Sequence, residues 1–275
     1  MIPSGRSFFK MSGSGNDFVM VDCRSEAPGA LAQADTVGRI CARATGVGAD
    51  GIVFLEPSDV AAVRLVYLNS DGSRAELCGN ATLCTARLAV ELGAADPAGF
   101  TIETDSGVVE ARQFGGAFEI DLQPVRDAQP DLPAIPVERG EQRLGYATVG
   151  VPHVVIRADD VATIDVVGRG RPIRRHRSLP RGANANFVSP KSDGRWRIRT
   201  YERGVEAETL ACGSGSVATA ILLTEWGEIS GGGAVELETA SGLTLRVRLE
   251  RSGDAWLPSL SGEARVVFQG TLLET

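Results

Sequence analysis

The feature that most constrains this chain is an internal repeat. The stretches "RAELCGNATLC" (74–84) and "AETLACGSGSVA" (207–218) each set a cysteine before a Gly and a run of small residues. Cys78 and Cys212 lie 134 positions apart, and sliding the chain by 134 lays "VYLN" (66–69) on "TYER" (200–203). The same slide lays "CGNATLCTARLAVELG" (78–93) on "CGSGSVATAILLTEWG" (212–227), and one further residue of slip lays "TIETDSGVVEAR" (101–112) on "ELETASGLTLRV" (236–247). A strand-like run, a polar loop ending in cysteine, a helix and a hairpin recur in that order. Two structurally related halves follow from this, though two copies do not make a solenoid.

Local signals agree. "VRLVYL" and "RWRIRTY" are β-branched or aromatic runs of strand length, as are "FVMVD" and "GIVFLEP". "ATLCTARLAVEL" and "VATAILLTEW" are Ala- and Leu-rich, bounded by Gly, and apolar almost all round. They read as buried helices. Asp-Ser-Gly marks the hairpin turn of 101–112. The expected fold is α+β, with many strands around one central helix in each of two barrel-like halves. The Pro- and Asp-rich segment 121–140 reads as a linker between the halves.

Composition narrows the function. A net charge of −7 argues against nucleic acid as a partner. Within 168–182 there are six arginines, which in an acidic chain read as a solvated face or a subunit contact. Five scattered cysteines do not form a secreted disulfide framework. Neither a signal-peptide h-region nor a long apolar span is apparent, so no membrane partner and a cytoplasmic location are expected. Two histidines and two lysines leave little material for a histidine-rich metal site or a Schiff base.

The repeated cysteines carry the chemistry. The start of a helix holds unpaired N–H groups and about half a positive charge, which favour a thiolate and bind a carboxylate. Cys78-Gly79-Asn80 and Cys212-Gly213-Ser214 are therefore each a thiol beside an anion-binding nest. With the halves related by a pseudo-twofold axis, one thiolate can remove a proton from a carbon acid while the other thiol returns one. Inversion needs that acid and base on opposite sides of the carbon. Cys23, Cys41 and Cys84 have no counterparts in the repeat and read as packing residues.

Six motifs in order, "GSGNDFVMVD" (13–22), "GVGADGI" (46–52), "NSDGSRAELCGN" (69–80), "VPHVV" (151–155), "GANANFV" (182–188) and "YERGVEAETLACGSG" (201–215), resemble those of the diaminopimelate epimerase family. The resemblance implies two pseudo-symmetric halves, each a β-barrel-like sheet around a central helix. The first half would span 1–123 plus a returning strand in 264–275, and the second 124–263. It implies epimerisation of LL- and meso-diaminopimelate without pyridoxal phosphate or another cofactor, in lysine and peptidoglycan precursor biosynthesis, by a homodimer. Cys78 and Cys212 would be the acid–base pair. The amides of Gly79, Asn80, Gly213 and Ser214 would grip the reacting carboxylate. Asn16, Asn69, Asn184 and Arg203 would bind the distal amino-acid end, and His153 and Glu202 would lie near the substrate amines. No metal enters this picture.

Two departures stand out. Many members read Asn-Pro-His where this chain has Val151-Pro152-His153, which keeps open another amino acid as substrate. The loop before Cys212 is one residue longer than the commonest form. A redox protein with a Cys78–Cys212 switch disulfide is the reading from another class. Oxidation would create its function, whereas oxidation would abolish epimerisation. Pyridoxal phosphate chemistry would need Lys10, which ends a strand run, or Lys191, which sits in a turn.

Overall fold

Short apolar runs, continuous in some segments and alternating in others, produce seventeen strands among the described residues of the computed structural model, 5–75, 78–229 and 233–273. The strands and helices gather into two units, 1–120 with 262–275, and 121–261. Glu76 and Leu77 of the first cysteine motif, and the last two residues of the expected returning segment, lie outside the described residues.

The first unit holds β1 (Arg6–Gly13), β2 (Asn16–Asp22), α1 (Ala34–Cys41), β3 (Gly51–Glu56), β4 (Val63–Asn69), α2 (Gly79–Glu91), β5 (Phe100–Thr104), β6 (Gly107–Phe114) and β7 (Ala117–Asp121). The second holds β8 (Ala128–Gln129), β9 (Glu141–Val149), β10 (Val151–Ala158), α3 (Val166–Arg174), β11 (Asn184–Pro190), β12 (Trp196–Glu202), β13 (Ala207–Thr209), α4 (Gly213–Glu225), β14 (Ala234–Glu238), β15 (Thr244–Ser252) and β16 (Ala255–Gly262). Last comes β17 (Arg265–Leu272), which pairs antiparallel with β1 in the first unit, Arg6 opposite Leu272.

The two ladders share one order. β1–β2 is antiparallel, β2–β3 parallel, β3–β4 antiparallel, β4–β5 parallel and β5–β6 antiparallel. The series β9, β10, β11, β12, β14, β15 repeats those senses step for step. A parallel pair requires a crossover. Each β2–β3 and β10–β11 crossover carries a short helix, α1 or α3. These two helices are additional to the one helix per half expected from sequence.

The inner strands of each ladder, β2 and β3 in the first unit and β10 and β11 in the second, are buried on both faces. On β2, Val19 and Val21 belong to the cluster formed with Val37 and Ile40 of α1. On β10 and β11, Val154, Ile156, Ala185 and Phe187 pack with Val166 and Ile173 of α3. Alternate residues turn to the opposite face, where the thirteen-residue central helices lie. α2 packs on β1, β2, β3, β4 and β6, and α4 on β8, β9, β10, β11 and β15. The α+β architecture with an enclosed helix in each half is thus present.

The central helices end alike. Gly93 (φ 64°) and Gly227 (φ 73°) take the left-handed conformation at C′. The bonds Gly93 N–H to Val90 O and Ala94 N–H to Ala89 O recur as Gly227 N–H to Thr224 O and Glu228 N–H to Leu223 O. This Schellman closure satisfies terminal carbonyls and selects glycine.

The segment 121–140 departs from expectation. It is not a free linker but part of the second unit. Val125 bridges to Trp256, the Leu132 N–H bonds Leu144 O, and Leu122, Val125 and Ile135 are buried. Its prolines prevent a long strand, while its spaced apolar residues still dock. The arginine-rich segment begins inside α3. There Arg169 pairs with Glu138 and Glu141, and Arg174 and Arg175 pair with Glu206.

Candidate active site

Cys78 (φ −131°, ψ 112°) and Cys212 (φ −139°, ψ 108°) are extended N-caps of the central helices. Gly79 and Gly213 are the first helical residues, and Asn80 and Ser214 the second. The backbone N–H and hydroxyl of Thr82 both bond Cys78 O, and those of Ser216 both bond Cys212 O. Each cap carbonyl is thereby fixed, while the first N–H groups lie at the positive end of the helix.

In the first unit the second helical side chain is held from β2. The Asn80 amide N donates to Asn16 Oδ1 at 2.6 Å, and Asn16 donates to Asp50 Oδ2 at 3.0 Å. A carboxylate only accepts, so Asp50 sets the orientation of both amides. Asn80 Oδ1 is left buried and has no hydrogen-bond partner among the described residues. Asp50 is braced by Arg43, which also binds Asp17, and Lys10 bonds Asp17 and Gly48 O. Burial opposes ionisation of Asp17, but hydrogen bonds from Arg43 and Lys10 outweigh it and hold the carboxyl below its usual value. Asn69 closes β4 and donates to Ser73 Oγ at 3.0 Å, shaping the loop that leads toward Cys78.

In the second unit the equivalent side chain is held from β10. His153 Nε2 lies 3.1 Å from Ser214 Oγ, and Ser214 Oγ lies 3.6 Å from Cys212 Sγ, which also accepts the Gly215 N–H at 3.4 Å. Asn184 and Asn186 approach His153 Nδ1 at 3.5 and 3.2 Å. The Arg203 N–H donates to Asn184 Oδ1 at 2.7 Å, and the Arg203 guanidinium donates to Arg181 O. His153 is fully buried, and burial together with the Arg203 charge pushes its imidazole down to about 3. It is therefore neutral at working pH. Glu202 ends β12, and the Glu206 N–H bonds Glu202 O in the turn that follows.

Within the first unit Asn16 and Asn80 come together. Within the second, Cys212, Ser214, His153, Asn184 and Arg203 do. Asp50, Asn186 and Thr200 were not singled out from sequence. The signal for Asn186 was its spacing of two from Asn184, which places both on one face of β11.

The remaining cysteines differ in kind. Burial pushes the Cys41 thiol up to about 11 and also raises Cys23 and Cys84. These three stay protonated and cannot serve as bases near neutral pH. Lys10 and Lys191 are both engaged in ion pairs, with Asp17 and Glu238. Among the described residues no group of three or more His, Cys, Asp and Glu side chains is arranged to hold a metal ion. No described helix is long and apolar enough to cross a membrane.

The doubled ladder with a central helix in each unit is a fold that recurs in solved structures of low sequence identity. A hydroxyproline epimerase structure from Agrobacterium vitis shares the fold, with TM-score 0.70 at 16% identity, covering 99% of this chain and 94% of that one. So does a phenazine biosynthesis protein of the PhzF family from Bacillus anthracis, with TM-score 0.75 at 16% identity, covering 98% and 99%. The chain belongs to the diaminopimelate epimerase family, whose model matches residues 8–117 and 145–267. The diaminopimelate epimerase of Gemmatimonas aurantiaca is 46% identical, covering 97% of this chain and 99% of that protein.

Proposed function

We propose that this enzyme interconverts LL- and meso-diaminopimelate by a two-base mechanism with Cys78 and Cys212 as the acid–base pair. The observation that carries the reading is the duplicated cysteine N-cap, with nearly the same backbone angles on helices of equal length. One cysteine thiolate removes the α-proton, and its electron pair passes into the carboxylate as an enolate-like charge. The other thiol then delivers its proton to the opposite side of the carbon. The backbone N–H groups of Gly79, Asn80, Gly213 and Ser214 receive the carboxylate and stabilise that charge as it develops.

Side-chain roles follow from chemistry. Asn80 Oδ1, buried without a partner among the described residues, offers an acceptor to a substrate ammonium. Asn16, Asn69, Asn184, Glu202 and Arg203 contribute polar contacts to the rest of the substrate, and neutral His153 acts through Ser214. Such a site rejects simple amino acids because its polar groups would be left unpaired. The reaction needs no cofactor. It supplies lysine and peptidoglycan precursors in the cytoplasm, and the working form is a homodimer.

Proton NMR of LL-diaminopimelate in D2O with reduced enzyme, EDTA and no pyridoxal phosphate tests the reading. Loss of the α-proton signal with appearance of the meso isomer is expected. Absence of exchange from protein with intact thiols would refute it, and exchange of a different amino acid would transfer the mechanism to that substrate.

A further inference from the structure

The hydrogen bonds between β10, β11, β12 and the start of α4 allow their protons to be counted. Asn186 Nδ2 lies 3.1 Å from Val154 O, a carbonyl that only accepts, and Asn186 Oδ1 accepts from Thr200 Oγ1 at 3.0 Å. The orientation of this amide is therefore fixed from both ends. Its second N–H proton faces His153 Nδ1. Asn184 is fixed independently, because its Oδ1 accepts the Arg203 N–H and its amino group is the end nearer His153. Two donors thus converge on His153 Nδ1, so that nitrogen must present its lone pair.

A neutral imidazole that accepts at Nδ1 carries its proton on Nε2. The Nε2–H then donates to Ser214 Oγ. A hydroxyl has one proton and two lone pairs, and with one lone pair engaged by His153 its proton is available to Cys212 Sγ. The Gly215 N–H reaches the same sulfur. Donors to sulfur favour thiolate over thiol. We propose that Asn186, assisted by Asn184 and anchored by Thr200, is a positioning residue that holds His153 as the Nε2–H tautomer and so commits the Ser214 hydroxyl to Cys212. This rests on the reading of Cys212 as one of the acid–base pair.

Packing around Asn186 supports the assignment. A Cβ on Gly215 would lie 2.3 Å from Asn186 Oδ1 and 3.2 Å from Cys212 Sγ. The second glycine of the Cys-Gly-Ser-Gly motif thus makes room for a β11 side chain beside the sulfur. Burial and the Arg203 charge keep the ring neutral, as the tautomer argument requires.

The test needs no turnover, so its failure is distinct from failure of the substrate assignment. With only two histidines in the chain, 15N-histidine labelling gives two ring spin systems, and His176→Gln assigns them. In the unmodified enzyme His153 is expected to be protonated at Nε2 and bare at Nδ1; the opposite tautomer overturns the proposal. Asn186→Asp replaces the converging donor by an acceptor of the same shape. It should move the ring proton to Nδ1 and turn the Ser214 hydroxyl toward Nε2. Alkylation of Cys212 by iodoacetamide should then slow by about tenfold, the effect of one unit of thiol acidity, with Cys78 unaffected. A moved proton with unchanged Cys212 alkylation overturns the relay. Should Asn186→Asp not fold, the His153 tautomer of the unmodified enzyme still decides the role of Asn186, and Ser214→Ala tests the relay: slowed Cys212 alkylation supports it, and an unchanged rate refutes it.

Discussion

His153→Gln should remove a built-in acid sensitivity of the second unit. Folded, the ring resists protonation until about 3, against 6.5 for a free histidine. Below 6.5 the unfolded chain binds a proton that the folded chain refuses, so stability falls as pH falls and levels off below the folded value. At about pH 4.5 the loss is two units, or about 2.7 kcal/mol. The substitution has a cost of its own through the lost Ser214 and asparagine contacts, but that cost does not vary with pH. Trp196, Trp226 and Trp256 all belong to the unit that contains His153, so urea unfolding followed by tryptophan fluorescence reports on that unit. The stability gap between the native enzyme and the variant should move by about 2.7 kcal/mol in the variant's favour between about pH 8 and about pH 4.5. A gap that stays constant with pH would refute the buried, neutral histidine.

Cys78→Ala and Cys212→Ala should each abolish α-proton exchange with the circular dichroism spectrum retained, whereas Cys84→Ala should keep kcat and cost about 1 kcal/mol of stability. Gly51→Ala would place a Cβ 2.4 Å from Leu68 O and 2.5 Å from the Tyr67 ring. It should lower stability by about 3 kcal/mol in a denaturant titration. Iodoacetamide at about pH 8 should modify Cys78 and Cys212 in the native enzyme and spare Cys23, Cys41 and Cys84 until urea is added, as mass spectrometry can score.

The central helices and their cysteine caps were legible because they depend on local signals: a small-residue start, an apolar body and a glycine stop. The crossover helices were not. α1 is eight residues with Asp35, Thr36 and Gly38, and α3 contains Gly168, Gly170 and Pro172. Both are poor helix formers, and it is the burial of Val37 and Ile40, or Val166 and Ile173, that holds them in place. Segment 121–140 misled in the opposite sense, since its turn residues are real but its apolar residues dock onto the second unit. At the site, the family motifs pointed to Asn184 and His153. The role of Asn186 depends on a backbone carbonyl of β10 and a hydroxyl of β12 that no pattern within β11 reveals.

The pairing of β17 with β1 has a consequence for the order of events during synthesis. The second unit is one uninterrupted stretch, 121–261, and possesses all its strands once residue 261 has left the ribosome. The first unit begins emerging earlier, yet β1 keeps an unpaired edge until residues 265–272 arrive. The half made first is therefore the half finished last, and its open edge is the part of the nascent chain most in need of protection from other strands.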